Sequence, residues 1–237
     1  MDIKELKHPI RKEIFRKLMY KKNLSFSQLM DKKVRSNHFN YHLSELIKAG
    51  IIKKENFLYS LTKKGDKIAV YFDTESSDIY MPPFTSVAVA LRKDNEILLS
   101  RLEKGPFKNC WAISAVGRLK EGEGLKESAY RQTIERTGYT PKDLELKIIY
   151  SIKTYYRRKI LSQHLHFIFN CKNFTGKLKE TTKDRTNKWV KIKDLRRYNI
   201  FLENITTLKH IDNGGITYLE IVRRHDGKKF TSSKVIL

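Results

Sequence analysis

Between residues 117 and 139 the chain reads GRLKEGEGLKESAYRQTIERTGY, and no other stretch restricts its fold as much. A Gly-rich, acidic loop gives way to a helical pattern that stops at Gly138. On that helix, positions 132, 135 and 136 stand at i, i+3 and i+4. They share one face, which carries Gln132, Glu135 and Arg136. Glu127, Arg131 and Glu135 form an i, i+4, i+8 ladder along it. Strand patterns flank the loop and helix. TSVAVALR and EILLSRL come before, joined by a turn at Asp94-Asn95, and LELKIIYSIKTYY, KILSQHLHFIFNCKNF and NKWVKI come after. KDLRRYNIFLENITTLKHI predicts a helix with a pause near Asn199. The end, ITYLEIVRRHDGKKFTSSKVIL, reads either as a hairpin about Asp226-Gly227 or as a helix and a tail.

This stretch resembles the Nudix box, in which a Gly-rich loop and a Glu-rich helix cluster carboxylates around Mg²⁺. The metal neutralises a diphosphate and activates water. Gly117, Glu123, Arg131, Glu135, Gly138 and Tyr139 fall in register with the box. NCWAIS around Trp111 and NKWVKIKDL around Trp189 are similar to the family's flanking segments, so the resemblance covers about residues 84–197. It implies a Nudix-fold α/β/α sandwich with a mixed sheet, and a basic C-terminal extension, over 84–237. The family's 132/135/136 face holds metal with carboxylates, whereas here a single one remains. A guanidinium at 136 would repel a divalent ion by several kcal/mol at an intermediate dielectric. Ser114-Ala115-Val116 stands where the family often has Pro-Gly-Gly, and Asp184 is the only acid just ahead of the late Trp.

The resemblance therefore implies that metal-dependent hydrolysis is absent or very slow and that no cofactor is needed. Mg²⁺ or Mn²⁺ enters only under an enzyme reading. Glu123, Glu127 and Glu135 would then be catalytic, with Glu123 and Glu135 as the metal ligands. The binding reading assigns Arg136 to a nucleotide diphosphate such as ADP-ribose or an NAD-related compound. Arg101, Arg118, Glu123, Arg131 and Glu135 complete that ligand set. Alternatively, Arg136 pairs with Glu135 or Gln132 and plugs a dead site. His164 and His166 share one strand face, which suits a core or surface role before a ligand role.

Residues 1–74 form a different block. HPIRKEIFRKLMYKK puts Ile10, Ile14, Phe15, Leu18 and Met19 on one helical face. SFSQLMDKK starts at a good N-cap, Ser25. RSNHFNYHLSELIKAG predicts a helix capped by Ser36, stopped by Gly50, and buried at Phe39, Leu43, Leu46 and Ile47. IIKKENFLYSLT reads as two short strands, and Thr62 caps a fourth helix. This order resembles a winged helix-turn-helix, whose third helix enters the major groove. Removing the core face leaves Ser36, Asn37, His38, Asn40 and Tyr41 for base edges. Arg35, Lys53, Lys54, Lys63 and Lys64 flank them for phosphates. A winged helix used for protein contacts is the alternative. His38 and His42, at i and i+4, have a spacing that suits zinc, but the sequence offers no evident third ligand.

The net charge of +23 favours polyanionic partners, although a generally lysine-rich proteome accounts for part of it. Residues 1–80 hold 17 Lys+Arg against 10 Asp+Glu, and the rest hold 32 against 16, so the second block is the more basic. The two cysteines, Cys110 and Cys171, form no CxxC pair, which fits a reducing, cytoplasmic setting. The longest uncharged run, Ile79–Leu91, has 13 residues, too short to span a bilayer. Residues 75–83, ending in Pro82-Pro83, suit a linker. Together these features describe an α+β, two-domain regulator. Its expected partners are double-stranded DNA, a small nucleotide ligand and a second copy of itself, with no membrane. The rivals are a divergent Nudix hydrolase with a winged-helix targeting module, and an RNA-binding protein.

Overall fold

The structure is a computed structural model that describes residues 4–73, 75–76, 78–80, 82–104, 108–226 and 230–236. It divides into two compact units, residues 1–82 and 83–237.

In the first unit, helix α1 (Pro9–Tyr20) opens with Pro at its first position, where no backbone N–H is needed. The short strand β1 (Leu24–Ser25) leads into a single helical turn, α2 (Phe26–Leu29). Ser25 caps that turn, accepting from the Gln28 N–H while the Gln28 side chain accepts from the Ser25 N–H. Helix α3 (Ser36–Lys48) starts one residue earlier than a Ser36 cap requires. Arg35 stands at the cap position without a side-chain bond. Strands β2 (Ile52–Glu55) and β3 (Leu58–Leu61) form a hairpin, and the sheet order is β1-β3-β2. Thr62 caps α4 (Lys63–Ala69) by accepting from the Gly65 N–H.

The buried face of α3 carries Phe39, His42, Leu43 and Leu46. Ile47 is exposed, and His42, on the opposite flank of the same face, is buried instead. Ser36, Asn37, His38, Asn40 and Tyr41 are all exposed. The residues expected to form a linker are partly built into this unit. The Tyr80 N–H donates to the Tyr71 carbonyl, Phe72 bridges Ile79, and Ile79 packs on the core. An apolar side chain in a polar stretch is what draws the segment back.

The second unit begins with strands β4 (Phe84–Lys93), β5 (Glu96–Leu102), β6 (Trp111–Ile113) and β7 (Gly117–Arg118). After helix α5 (Leu125–Thr137) come β8 (Tyr139–Pro141), β9 (Glu145–Tyr156), β10 (Lys159–Cys171), β11 (Phe174–Gly176), β12 (Thr181–Thr182) and β13 (Arg185–Lys191). A 3-10 turn and helix α6 (Leu202–His210) precede β14 (Thr217–His225) and β15 (Phe230–Val235). The break between turn and helix sits at Asn199, where the sequence predicts a pause.

The main sheet runs β12-β13-β5-β4-β10-β9-β14-β15 and is mixed, since β4 with β10 and β9 with β14 are parallel pairs. Strand β4 is buried on both faces and reads accordingly as a continuous apolar run. On one side Val87, Val89 and Leu91 meet Ala129 of α5. On the other, Ala88 and Ala90 share a core with Tyr150, Leu195 and Ile211. The chain end is the hairpin alternative, β14 pairing antiparallel with β15. Its tip residue Gly227 lies outside the described residues. No helix among the described residues is long and apolar enough to cross a membrane.

Candidate functional site

The loop and helix of residues 117–139 are keyed together by two glycines. Gly117 lies under the Gln132 amide, so a Cβ there would come within 2.1 Å of the amide carbon. Gly138 ends α5 in the left-handed region, φ 79°, and a Cβ there would meet the Lys177 carbonyl at 2.4 Å. Asn187 of β13 holds the helix end in place, its amide donating to the Arg136 and Lys179 carbonyls.

Two side-chain networks occupy the helix face. In the first, Arg131 grips Glu123 with two N–H groups and Glu135 with a third, at 3.0 Å. The hydrogen bonds from Arg131 hold the Glu123 carboxyl down at about 2. Glu127 is occupied as a helix-start acceptor for the Gly124 N–H. In the second, Arg136 Nε donates to Gln132 Oε1, and Arg136 Nη1 lies 3.7 Å from Asp184. Gln132 in turn donates to the Arg118 carbonyl. Of the two pairings open to Arg136, the structure has the one with Gln132.

This donor set suits a hard divalent cation poorly. Such ions take several oxygen ligands, with carboxylates offsetting their charge. Here the face offers an amide, a guanidinium and Glu135, and the nearby Glu123 is already held bidentately by Arg131.

The remaining arginines of the expected ligand set are dispersed. Arg118 stacks over Phe84 at 4.2 Å. Arg101 bonds Glu103 at 2.9 Å and faces the Trp111 ring, in a groove shared with Trp189.

A second opening for a ligand lies on the α6 side of the sheet. A cavity of about 390 Å³ is lined by Ser86, His164, His166, Arg185, Phe201, Glu203, Asn204 and Arg223, and Val116 brings it to the edge of the Gly-rich loop. His164 and His166 do face it. His166 Nδ1 bonds Ser86 at 2.8 Å, and burial pushes both imidazoles below the usual range, so they are neutral there.

Arg185 was passed over in the sequence, yet it is buried and reaches the Val116 carbonyl at 3.1 Å. Its Nε and Nη1 have no hydrogen-bond partner among the described residues. Burial, and then the nearby Arg136 charge, push it down to about 10. Glu203 pairs with Arg223, and burial holds its carboxyl above the ordinary range. Glu203 Oε2 and Asn204 Nδ2 also lack partners among the described residues. Buried polar groups of this kind cost stability unless something completes them, so the cluster makes this cavity a candidate binding site. The alternation Arg185, Asn187, Trp189 along one strand was the available signal.

In the first unit, Lys53 pairs with Glu55 at 2.8 Å and Lys54 lies over Phe57 and Tyr59. Lys64 donates to the Ala49 carbonyl at 2.7 Å.

Residues 82–210 match the NUDIX domain family, and residues 3–71 match a family described as a domain of unknown function. The ADP-ribose pyrophosphatase of Methanocaldococcus jannaschii is 35% identical over 85 residues, 36% of this chain and 50% of that protein. The putative nudix hydrolase 1 of Caenorhabditis elegans is 28% identical over 141 residues, 57% of this chain and 36% of that protein. The chain thus spans half or less of the length of these curated relatives. A solved MutT protein from Bacillus halodurans is similar with a TM-score of 0.53 at 21% identity, covering 65% of this chain and 97% of that one. That likeness concerns the fold alone.

Proposed function

The chain belongs to the NUDIX domain family, and on that premise we propose that its second unit holds a nucleoside diphosphate derivative of the ADP-ribose class without cleaving it. In the same reading the first unit is a winged helix-turn-helix that binds double-stranded DNA, and the whole is a ligand-responsive regulator. The observation that carries the first half is the Gln132–Arg136–Asp184 network, which fills the helix face where carboxylates would assemble a metal. The similarity to the ADP-ribose pyrophosphatase of Methanocaldococcus jannaschii supports the ligand class.

Arg185 supplies the anion contact in this reading. Its Nε and Nη1 have no hydrogen-bond partner among the described residues and lie on different edges of the guanidinium, each open to one phosphate oxygen, and the fixed charge does in part what a metal would do. Asn204 and Glu203 are placed to take ribose hydroxyls, and Phe201 and Ile152 give the cavity apolar surface for a base. On the DNA side, Asn37 and Asn40 are suited to adenine edges and the basic hairpin to phosphates. A homodimer would present two such helices to a two-fold operator, and ligand binding would act by changing their spacing.

Calorimetry with ADP-ribose and NAD, with and without Mg²⁺, combined with product analysis, tests the second unit. Binding that is indifferent to Mg²⁺, with intact ligand recovered, is expected. Metal-dependent turnover abolished by Glu135→Gln would replace this reading with a hydrolase that relies on Glu123 and Glu135. For the first unit, genome-wide occupancy concentrated at short inverted repeats is expected. Binding to RNA but not to duplex DNA would overturn it.

A further inference from the structure

Three imidazoles converge in the first unit. His8, His38 and His42 each offer one nitrogen, and these atoms all lie within 4.8 Å of one another. The sequence shows the pair on α3. The fold adds the third, because His8 is the N-cap of α1 and its ring stacks on His42 at a centroid distance of 3.8 Å.

We infer that His8, His38 and His42 form a binding site for a divalent transition-metal ion of the zinc class, with the fourth position open to water. Two imidazole nitrogens on a tetrahedral ion at 2.0–2.1 Å stand about 3.3 Å apart. His38 Nε2 and His42 Nε2 are 3.1 Å apart already. Imidazole donors without a carboxylate select zinc, nickel, cobalt or copper over magnesium. His8 uses Nδ1 to accept from the Ile10 N–H, which leaves Nε2 for the ion.

Uptake requires two local adjustments. The His8 ring must tilt out of its stack on His42. Arg11 Nε can only donate, and it donates to His42 Nδ1 at 3.2 Å, so in the metal-free state His42 carries its proton on Nε2 and passes a hydrogen bond to His38. The ion takes Nε2, the proton moves to Nδ1, and Arg11 turns to Glu5 and Glu45, which it already contacts. A bound ion would fasten the start of α1 to the first two turns of α3. This site is independent of the nucleotide reading, since it lies wholly in the first unit.

The metal-free full chain is titrated with Co²⁺ and followed by its visible absorption, then back-titrated with Zn²⁺. One Co²⁺ per chain with a tetrahedral spectrum, displaced by Zn²⁺, is expected. His8→Ala and His38→Ala, each checked for native circular dichroism, should weaken binding by at least about tenfold. His38 is exposed, so its removal leaves the core intact even where His42→Ala fails to fold. Absence of a tetrahedral Co²⁺ spectrum in the parent chain overturns the inference. So does binding that both variants leave unchanged, or that Glu135→Gln abolishes.

Discussion

Restoring carboxylates to the helix face is the most direct perturbation of the site. In the double variant Gln132→Glu with Arg136→Glu, the two new carboxylates would share the face with Glu135, three in all. Position 132 is only 3% exposed, so the new charge there is poorly solvated. Side chains three or four apart on a helix stand about 5 Å from one another, and two unit charges at that distance interact by about 3 kcal/mol at an effective dielectric of 20. The Arg136 link to Asp184 disappears as well. Arg131 remains and relieves part of the repulsion, so the metal-free variant should lose about 3 kcal/mol at neutral pH. Mn²⁺ should return it, by about 2.7 kcal/mol at a hundredfold excess over its dissociation constant. Both tryptophans of the chain, Trp111 and Trp189, lie in the second unit, so denaturant unfolding followed by tryptophan fluorescence reads that unit selectively. The parent chain should show no comparable response to Mn²⁺. A double variant as stable as the parent, with no response to millimolar Mn²⁺, would refute the electrostatic account of this face.

Other outcomes follow from the same geometry. Arg185→Met should weaken nucleotide binding more than tenfold while changing stability by no more than about 1 kcal/mol, because the loss of the bond to the Val116 carbonyl is offset by removal of two buried donors that lack hydrogen-bond partners among the described residues; equal losses of binding and stability in calorimetry and unfolding would contradict this. Gly138→Ala forces an L side chain into the left-handed region at about 1–2 kcal/mol and sets its Cβ against a backbone carbonyl that cannot move aside. A total loss near 3 kcal/mol is expected in fluorescence-detected unfolding, and a loss below 1 would be inconsistent with the close approach. Glu123 has a folded pKa of about 2 against 4.5 unfolded. Its contribution is therefore present above pH 4.5 and fades as pH falls towards 2, and Glu123→Gln should flatten the stability profile in that window.

Much of the second unit was legible because its signals are local. Box spacing, strand alternation and the pause at Asn199 depend on neighbours in sequence, and the structure follows them. The pairing of Arg136 was open between two partners, and packing chose Gln132 because its amide is fixed over Gly117. The cavity was not legible. Arg185, Glu203 and Arg223 come from three separate elements, β13, α6 and β14, and only the packed fold sets them around one cavity. His8 was missed as a partner of His38 and His42 for the same reason, some thirty residues of chain separating them. Ile47 misled because apolar periodicity treats every large aliphatic as buried, while the opposite flank of the face, at His42, is the buried one and is hydrogen-bonded by Arg11.

The bond between Gln132 and Arg136 also bears on how such a face changes over time. A lone Gln132→Glu exchange would not begin to rebuild a metal site. It would place an anion beside a cation one turn away, in a nearly dry setting, and convert a neutral link into an ion pair. A lone Arg136→Glu exchange would instead leave the buried amide bridging to the Arg118 carbonyl. Neither half-step is rewarded by a metal, and the first makes the second costlier, so only the paired exchange would turn this face towards holding an ion.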